Sequence, residues 1–280
     1  IPISQGSIYN ILNKASNNLH DFEIELKDHL RRSPVVHFDE SGFRIMKELH
    51  WLHVTSTNSF ILYQAHKNRG REAIDSFEIL PEFKGVAVHD GLKVYFTYDS
   101  LHALCNAHHL RELIFAHEQF DQDWADKLIH CLVDAKNEVE TYVAKGEKHL
   151  PTLRVLYYKN RYSRILRNGI TEIPVLEVEP GSSKQHKIKN LHDRLVKYKK
   201  ETLLYIDDFR VPFDNNLAER DFRMNKCKQK ISGCFRSFKG AEIFCRIRSY
   251  ILSGRKNSMN PVQTLTDLFN NKPFMPSDCA

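Results

Sequence analysis

Between residues 211 and 223 the chain reads Val211-Pro212-Phe213-Asp214-Asn215-Asn216-Leu217-Ala218-Glu219-Arg220-Asp221-Phe222-Arg223. Proline and the Asp/Asn cluster break or cap helices, whereas the residues after them favour helix. This order predicts a helix that starts just past the cluster and holds Glu219 rigidly in its first turn. Two explanations fit Glu219 at this point: a functional acid, or the third residue of a capping box begun by Asn216.

Basic residues follow Glu219 at helical spacing. Arg223, Lys226 and Lys230 come at steps of four, three and four, so one continuous helix would present them on the face that carries the acid. With Arg220, they are candidate DNA-binding residues. The opposing explanation is a solvated face on which the cations pair with neighbouring acids.

The overall composition favours a polyanionic partner only mildly. The chain has 280 residues, of which 41% are hydrophobic, and Lys+Arg 41 exceed Asp+Glu 35 to give a net charge of +6. Segments 184–200 and 220–239 concentrate this excess, each with seven Lys/Arg and one acid. Six cysteines lack framework spacing, and no apolar run approaches the roughly 18 residues of a membrane span. We therefore expect a reducing cytoplasmic environment and no membrane partner.

Two short apolar stretches end in acids. Residues 34–42 and 85–91 predict buried strands that deliver Asp39 and Asp90 at their ends. Residues 50–55 and 60–66 predict a hairpin that forms an antiparallel meander with the first strand. The strand–helix–strand connection that follows predicts that the Asp90 strand lies parallel to its neighbour, so both aspartates emerge at one edge of the sheet.

Helical patterns fill most of the remaining sequence. We expect one packing helix over residues 1–31 and a strand running into a helix over residues 101–111. Further helices are predicted at 121–146, at 152–167 and, strongly basic, at about 187–205. A helix around residues 243–251 is predicted to stop at Gly254, and a last short helix capped by Asn260-Pro261 is predicted to bury Leu265, Leu268 and Phe269.

Three acids, two at strand ends and one at a helix start, suggest metal chemistry. Clustered hard oxygen ligands without His or Cys suit Mg²⁺ or Mn²⁺, and two such ions about 4 Å apart act on phosphodiesters. The carboxylates alone would repel one another, and divalent cations relieve that repulsion.

Four motifs carry a resemblance to a known family. From about Pro34 to Phe269 the chain resembles the insertion sequence 66 family of bacterial transposases, and the last motif is long enough to be highly specific. The motifs are Asp39-Glu40-Ser41-Gly42, His89-Asp90-Gly91, Leu104-Cys105-Asn106-Ala107-His108-His109-Leu110-Arg111, and Pro212-Phe213-Asp214-Asn215-Asn216-Leu217-Ala218-Glu219-Arg220 running on to Lys230-Ile231-Ser232-Gly233-Cys234-Phe235-Arg236-Ser237.

The resemblance implies an α/β, RNase-H-like mixed sheet flanked by helices, with a helical insertion before the last catalytic helix. It implies Asp39, Asp90 and Glu219 as the catalytic and metal-binding acids. The corresponding parts are an N-terminal helical segment (1–32), the first part of the core (33–120), the insertion (121–210), and the catalytic helix with the C-terminal helices (211–280). Ser41 stands where the family often has Thr.

The implied activity is metal-dependent cleavage at insertion-sequence ends followed by attack of the freed 3′ hydroxyl on target DNA, with two Mg²⁺ or Mn²⁺ ions. Expected partners are element ends and target DNA, a homo-oligomer on DNA, and accessory proteins, in the nucleoid of a bacterial cytoplasm. The chain begins with Ile1, and we expect a preceding region with DNA-binding elements and a zinc segment, as is usual in such families. The alternatives are a structure-selective nuclease or resolvase of the same fold, and a non-catalytic DNA-binding remnant.

Other polar residues have two interpretations each. His108 and Arg111 lie one helical turn apart and are candidate DNA contacts. Cys105, His108 and His109 could belong to a zinc site, but no fourth ligand is evident nearby. Glu40 could assist metal binding, whereas His37 and His89 are better explained as strand residues. All of these assignments depend on the fold.

Overall fold

The computed structural model describes residues 3–173 and 187–279, apart from the side chains of Arg223, Met224, Asn225 and Lys228. The chain divides into two compact units. The first, here called the sheet unit, consists of Ile1–Leu101 and Asn216–Ala280; the second, the helical unit, consists of His102–Asn215. The sheet unit is therefore built from two separate stretches of sequence.

The sheet has five strands in the order β3-β2-β1-β4-β5. The first three pair antiparallel, and β1 pairs parallel with β4, as the sequence predicted. A mixed sheet flanked by helices confirms the α/β class. The strands are β1 (Val35–Ile45), β2 (Glu48–Ser56), β3 (Ile61–His66), β4 (Val86–His89) and β5 (Leu101–Leu104).

Helices make up most of the other described residues. No helix among them is long and apolar enough to cross a membrane. In chain order they are α1 (Gln5–Asn17), α2 (His20–Arg32), α3 (Arg71–Ser76), α4 (Asn106–Phe120), α5 (Asp123–Ala144), α6 (Thr152–Gly169), α7 (Lys187–Lys197), α8 (Lys199–Thr202), α9 (Leu204–Asp207), α10 (Asn216–Asp221), α11 (Arg223–Ser232), α12 (Phe238–Lys256) and α13 (Pro261–Phe269), with 3-10 turns at Tyr95–Thr97, Ile170–Glu172 and Pro276–Cys279.

The sequence suggested that strand β1 ends at Asp39, but the strand continues to Ile45. Its second half pairs with β2 up to Ile45↔Glu48, and the two strands join through Met46 and Lys47, both at positive φ. The glycine at position 42, which suggested a turn, lies inside this pairing. The parallel pairing with β4 stops earlier, at His37↔Val88. Asp39 therefore lies in mid-strand, just beyond the point where β4 leaves the sheet.

The two faces of the sheet bury separate cores. Side chains alternate along a strand, so Val36 and Phe38 lie on the opposite face from Phe43 and Ile45. The first face packs against apolar residues of α1, α2 and α13, and the second against Ala218 and Phe222, while α12 contributes to both cores. The face of the sheet on which a strand residue lies thus determines which helices it contacts.

Helix α12 also covers the edge strand β3. The backbone N–H groups of Ile61 and Tyr63 donate to the hydroxyls of Ser253 (3.1 Å) and Ser249 (2.9 Å). Four residues of helix advance about 6 Å, close to the advance of two strand residues, so the two serines match alternate amides of the strand. These bonds satisfy backbone donors that an edge strand would otherwise leave open.

Two predicted helices are interrupted. Residues 1–31 form α1 and α2, which separate at Asn18 and the fully buried Leu19, where the N–H of Leu19 turns back to Ser16 (3.2 Å). The basic helix predicted over 187–205 is divided into α7, α8 and α9. Within the helical unit, side chains capture carbonyls of this segment: Tyr162 donates to Leu195 (2.8 Å), and Asn106 donates to Thr202 (3.0 Å).

The C-terminal helices differ from the prediction in two details. Helix α12 passes Gly254 and ends at Lys256. A Cβ at Gly254 would meet Thr264 and Phe274 at 3.2 Å, so this glycine permits close packing rather than ending the helix. Phe269, predicted to be buried, is 45% exposed at the end of α13.

Candidate active site

Asp39 and Asp90 lie at the same level of the sheet. The parallel register pairs Val35 with Val86 and His37 with Val88, and two more residues along each strand bring Asp39 level with Asp90. Residues at the same level of a parallel pair share a face. Asp39 also pairs with Val54 of β2, which belongs to the core under Ala218 and Phe222. Asp39 is thus placed on the face that α10 covers, and Asp90 follows the last paired residue of β4 by two positions.

Helix α10 places Glu219 on this same face. Ala218 and Phe222 are buried in the core against β1 and β2, and Glu219 lies in the first turn, as predicted. The helix begins at Asn216 itself, which therefore lies inside the helix and not in the capping position that the alternative explanation required. The acid follows directly after the residue that anchors the helix.

The pKa of Asp39 reflects its burial and the charged groups around it. Burial, followed by the negative charges of Asp90 and Glu40, raises the pKa of Asp39 from 3.8 to about 8, and Glu219 adds to the increase. The backbone N–H of Glu40 donates to Asp39 Oδ1 (2.8 Å) and opposes the increase. Asp39, Asp90 and Glu219 are therefore close enough to interact as charges. A proton on Asp39 relieves that repulsion when no cation is bound.

Glu40 lies on the other face and has partners of its own. Arg69 donates to its Oε1 through Nε (3.0 Å) and a terminal nitrogen (2.6 Å), and the Tyr95 hydroxyl donates to its Oε2 (2.7 Å). The carboxylate side chain is only 5% exposed, and Arg69 covers the ring of Trp51 at 4.8 Å. The sequence suggested Glu40 as a metal ligand, but its oxygens are already engaged by these donors.

Tyr95 connects this network to the turn that carries Asp90. Its ring stacks on His89 at 4.7 Å, and burial, together with Glu40, raises the pKa of its hydroxyl well above the usual value. His89 Nδ1 accepts the N–H of Gly91 (3.0 Å), whose φ of 90° lies in the region that favours glycine. His89 is a buried strand residue, as predicted, and it helps to fix the Asp90 turn.

The basic residues after Glu219 lie on two consecutive helices, α10 and α11, which meet at Phe222. Helix α10 ends at Asp221, whose carbonyl accepts the hydroxyl of Tyr63 (2.6 Å) and whose carboxylate pairs with Lys256 (3.0 Å). Helix α11 starts after the buried Phe222, but Phe222 keeps helical φ and ψ (−72° and −17°), and its N–H donates to Ala218 (3.3 Å) while its carbonyl accepts the N–H of Lys226 (3.0 Å). The backbone therefore stays helical between Glu219 and the later cations. Arg220, Lys226 and Lys230 are exposed, and the side chain of Arg223 lies outside the described residues.

The helical unit contains the remaining candidates on or just before α4. His108 is partly buried and Arg111 is exposed, one turn apart, as predicted. A ligating atom of Cys105 and one of His108 lie within 4.8 Å of each other. His109 instead is buried, with Nδ1 at 3.3 Å from Asn106 Oδ1. Among the described residues, His109 therefore does not share a ligand group with Cys105 and His108, and a zinc site there stays a prediction.

Comparison with known proteins identifies the family of the chain. The family model described as Transposase IS66 family matches residues 1–243. The chain belongs to the IS66 transposase family. The match spans Asp39, Asp90 and Glu219, and no curated protein matches the chain. Membership in the IS66 family makes DNA the expected partner and implies a divalent metal.

The acidic site of this IS66-family chain fits such a metal. Its side chains are carboxylates, the type of group that Mg²⁺ and Mn²⁺ prefer. Neighbouring charges raise the pKa of Asp39, so a bound cation would replace a proton and stabilise all three acids. Sequence reasoning found these acids but missed Arg69 and Tyr95, which are 29 and 55 residues from Glu40 and follow no motif.

Proposed function

We propose that this chain is a DDE-type transposase that cleaves DNA at insertion-sequence ends and joins the freed 3′ end to target DNA. Asp39, Asp90 and Glu219 are its catalytic acids. The observation that carries the proposal is the clustering of charge at Asp39: burial is the largest cause of its raised pKa, and the charges of Asp90 and, more weakly, Glu219 add to it although these acids come from distant parts of the chain. An isolated capping residue would not be placed beside two strand aspartates.

The fold supports the same proposal. The strand order β3-β2-β1-β4-β5, antiparallel across the first three strands and parallel between β1 and β4, is that expected of an RNase-H-like core. The helical unit begins within β5 and ends directly before α10, so it is inserted before the glutamate. The four sequence parts defined above (1–32, 33–120, 121–210 and 211–280) are proposed on this basis.

Each acid has a distinct part in holding the reacting groups. Asp39 and Asp90 project from the sheet and Glu219 from α10, so the three can hold cations from two sides. Two divalent ions, Mg²⁺ or Mn²⁺, would activate the attacking oxygen and stabilise the leaving oxygen. Glu40 does not join them, because Arg69 and Tyr95 hold it on the opposite face, where it fixes β1 beside Asp39.

The proposed DNA contacts are exposed cations and one histidine. Phosphate contacts supply most of the affinity for DNA and make it salt-dependent. The proposed set is Arg220, Arg223, Lys226 and Lys230 in the sheet unit and His108 and Arg111 in the helical unit. We propose that the protein acts on DNA as a homo-oligomer with accessory proteins.

A strand-transfer assay with the element's own ends tests the catalytic assignment. Asp39→Asn, Asp90→Asn and Glu219→Gln should each abolish Mg²⁺-dependent cleavage while DNA affinity stays within about threefold, because phosphate contacts are intact. Asp99→Asn is the matched control, since Asp99 is fully exposed in the same unit and should keep full activity. Cleavage by any of the three acid variants would refute the assignment, and cleavage without joining would indicate a nuclease.

Salt titration tests the DNA path separately. Replacing Arg223, Lys226 and Lys230 together by alanine should flatten the slope of log affinity against log salt by about two to three, at roughly 0.9 for each phosphate that the protein no longer neutralises. Glu219→Gln should leave that slope unchanged. An unchanged slope in the triple variant would place the path elsewhere.

A further inference from the structure

A basic cleft of about 550 Å³ opens beside the strand that carries Asp39. Ser41 lies two residues along β1 on the same face as Asp39, about 6–7 Å away. Arg44 and its cross-strand partner Leu49 lie on the opposite face, so the cleft follows the edge of β1 that β4 leaves open, with Lys226, Gln229 and Lys230 of α11 on the other side.

Hydrogen bonds between the β1–β2 hairpin and the α11 segment hold the cleft together. The Phe235 N–H donates to Arg44 (2.9 Å), and the Met46 N–H donates back to Phe235 (2.8 Å). Gln229 of α11 donates to the carbonyl of Gly42 (3.3 Å). The two walls are therefore joined at both ends, so the cleft is a built feature of the sheet unit.

The lining combines cations with exposed apolar surface. Arg44, Lys226 and Lys230 contribute positive charge, and no acidic side chain lines the cleft among the described residues. Within the same part of the chain, none of these three cations pairs with a carboxylate. Leu49 is 55% exposed on the wall, and Met46 is 69% exposed at the hairpin turn. A ligand that joins an anionic group to a flat, largely apolar ring would match both features.

The turn at Met46 is locally unfavourable. Met46 and Lys47 have φ of 51° and 69°, a conformation that two-residue hairpins usually give to Asn and Gly. Arg44 holds this turn by donating to the carbonyl of Lys47 (2.7 Å). The backbone preference of the turn therefore does not explain why a long apolar side chain stands at position 46. Contact of this exposed side chain with a nucleotide base would explain it.

We propose that this cleft binds an unpaired nucleotide of the DNA strand next to the bond held at the acidic site. The base lies against Leu49, and the flanking phosphates pair with Arg44, Lys226 and Lys230. A duplex is too wide for a cleft of this volume, whereas one or two splayed nucleotides fit. This inference rests on the proposed function for its substrate, DNA.

The neighbouring acids set the position of that nucleotide. A strand advances 3.4 Å per nucleotide along a duplex and more when it is unstacked, so the distance from Ser41 to Asp39 spans at most about two nucleotides. The nucleotide in the cleft is thus within about two positions of the reactive phosphate. An unpaired nucleotide at this position would separate the strand that is cleaved from its complementary strand.

The test uses the whole chain without metal, so that no cleavage occurs. Single-stranded and duplex oligonucleotides of the element's end are titrated, with the fluorescent base 2-aminopurine placed in turn at each of the last four positions. Leu49→Asn should lower single-strand affinity about fivefold, within the range expected when one base no longer packs on the protein, and leave duplex affinity unchanged. It should also abolish the position-specific change in 2-aminopurine fluorescence.

Leu101→Asn is the matched control, because Leu101 is a leucine of similar exposure (60%) in the same unit. Circular dichroism checks that both variants fold, and Lys230→Ala provides a second variant that should weaken single-strand binding. Wild-type binding and fluorescence in both Leu49→Asn and Lys230→Ala would overturn the inference. Asp39→Asn should retain cleft binding, so failure of the catalytic assignment is distinguishable from failure of this one.

Discussion

Replacing Asp39 by asparagine should stabilise the metal-free protein at neutral pH. The folded pKa of Asp39 is about 8 and its ordinary value is 3.8, so the folded state holds this proton more tightly than the unfolded state. The free energy of unfolding therefore falls as pH rises from about 4 to about 8. At pH 7 the loss reaches about 4 kcal/mol, at about 1.4 kcal/mol per pH unit. Asparagine carries no charge and still accepts the Glu40 N–H, so it escapes this loss.

Thermal unfolding in EDTA at several pH values measures the effect. At pH 7 the midpoint of Asp39→Asn should exceed that of wild type by up to about 8 °C, at roughly 2 °C per kcal/mol for a chain of this size. The difference should vanish near pH 4. Added Mg²⁺ should raise the wild-type midpoint and leave the variant nearly unchanged. Asp99→Asn should not stabilise the protein, because Lys84 lowers the pKa of Asp99. A variant no more stable than wild type at pH 7 would refute the reasoning.

Three further substitutions test other parts of the structure. Tyr95→Phe removes a donor from the buried Glu40 and should cost about 1–3 kcal/mol in a urea titration; an unchanged midpoint would contradict the network. Burial lowers the pKa of His53 to about 4, so stability should be lost as pH falls from about 6.5 to 4, by about 3 kcal/mol. His53→Gln should lose less stability over that range, and equal acid sensitivity would disprove this account. Gly169→Ala places a Cβ 2.4 Å from Trp124 and should lower the free energy of unfolding by about 1–3 kcal/mol, measured by thermal unfolding. An unchanged free energy of unfolding would contradict this close packing.

The paired aspartates were accessible to sequence reasoning because local rules determine them. Apolar runs ending at Asp39 and Asp90, joined by a strand–helix–strand connection, imply parallel strands and a shared edge, and the register agrees. Glu219 was placed in its first turn by the helix-breaking cluster before it. None of these inferences required a contact between distant residues.

The errors arose where tertiary contacts override local preference. Strand β1 continues past Asp39 because β2 pairs with it as far as Ile45. The sequence did not predict this extension, because Ser41-Gly42 is typical of a turn. Tyr63 takes the carbonyl of Asp221 at the junction of α10 and α11, a contact across 158 residues that divides the predicted helix without turning the backbone out of helical φ and ψ. The division of the 187–205 helix has the same origin in carbonyls taken by Tyr162 and Asn106. Propensity could not anticipate these partners.

The serines of α12 that bond to β3 have a consequence for synthesis. Ser249 and Ser253 follow their strand partners by 186 and 192 residues, and the whole helical unit is translated in between. At about 5–20 residues per second, the nascent strand waits on the order of ten seconds or more for these partners. During that interval the open amides of Ile61 and Tyr63 can pair with another nascent chain. A ribosome that stalls before residue 249 would therefore release a product prone to aggregate.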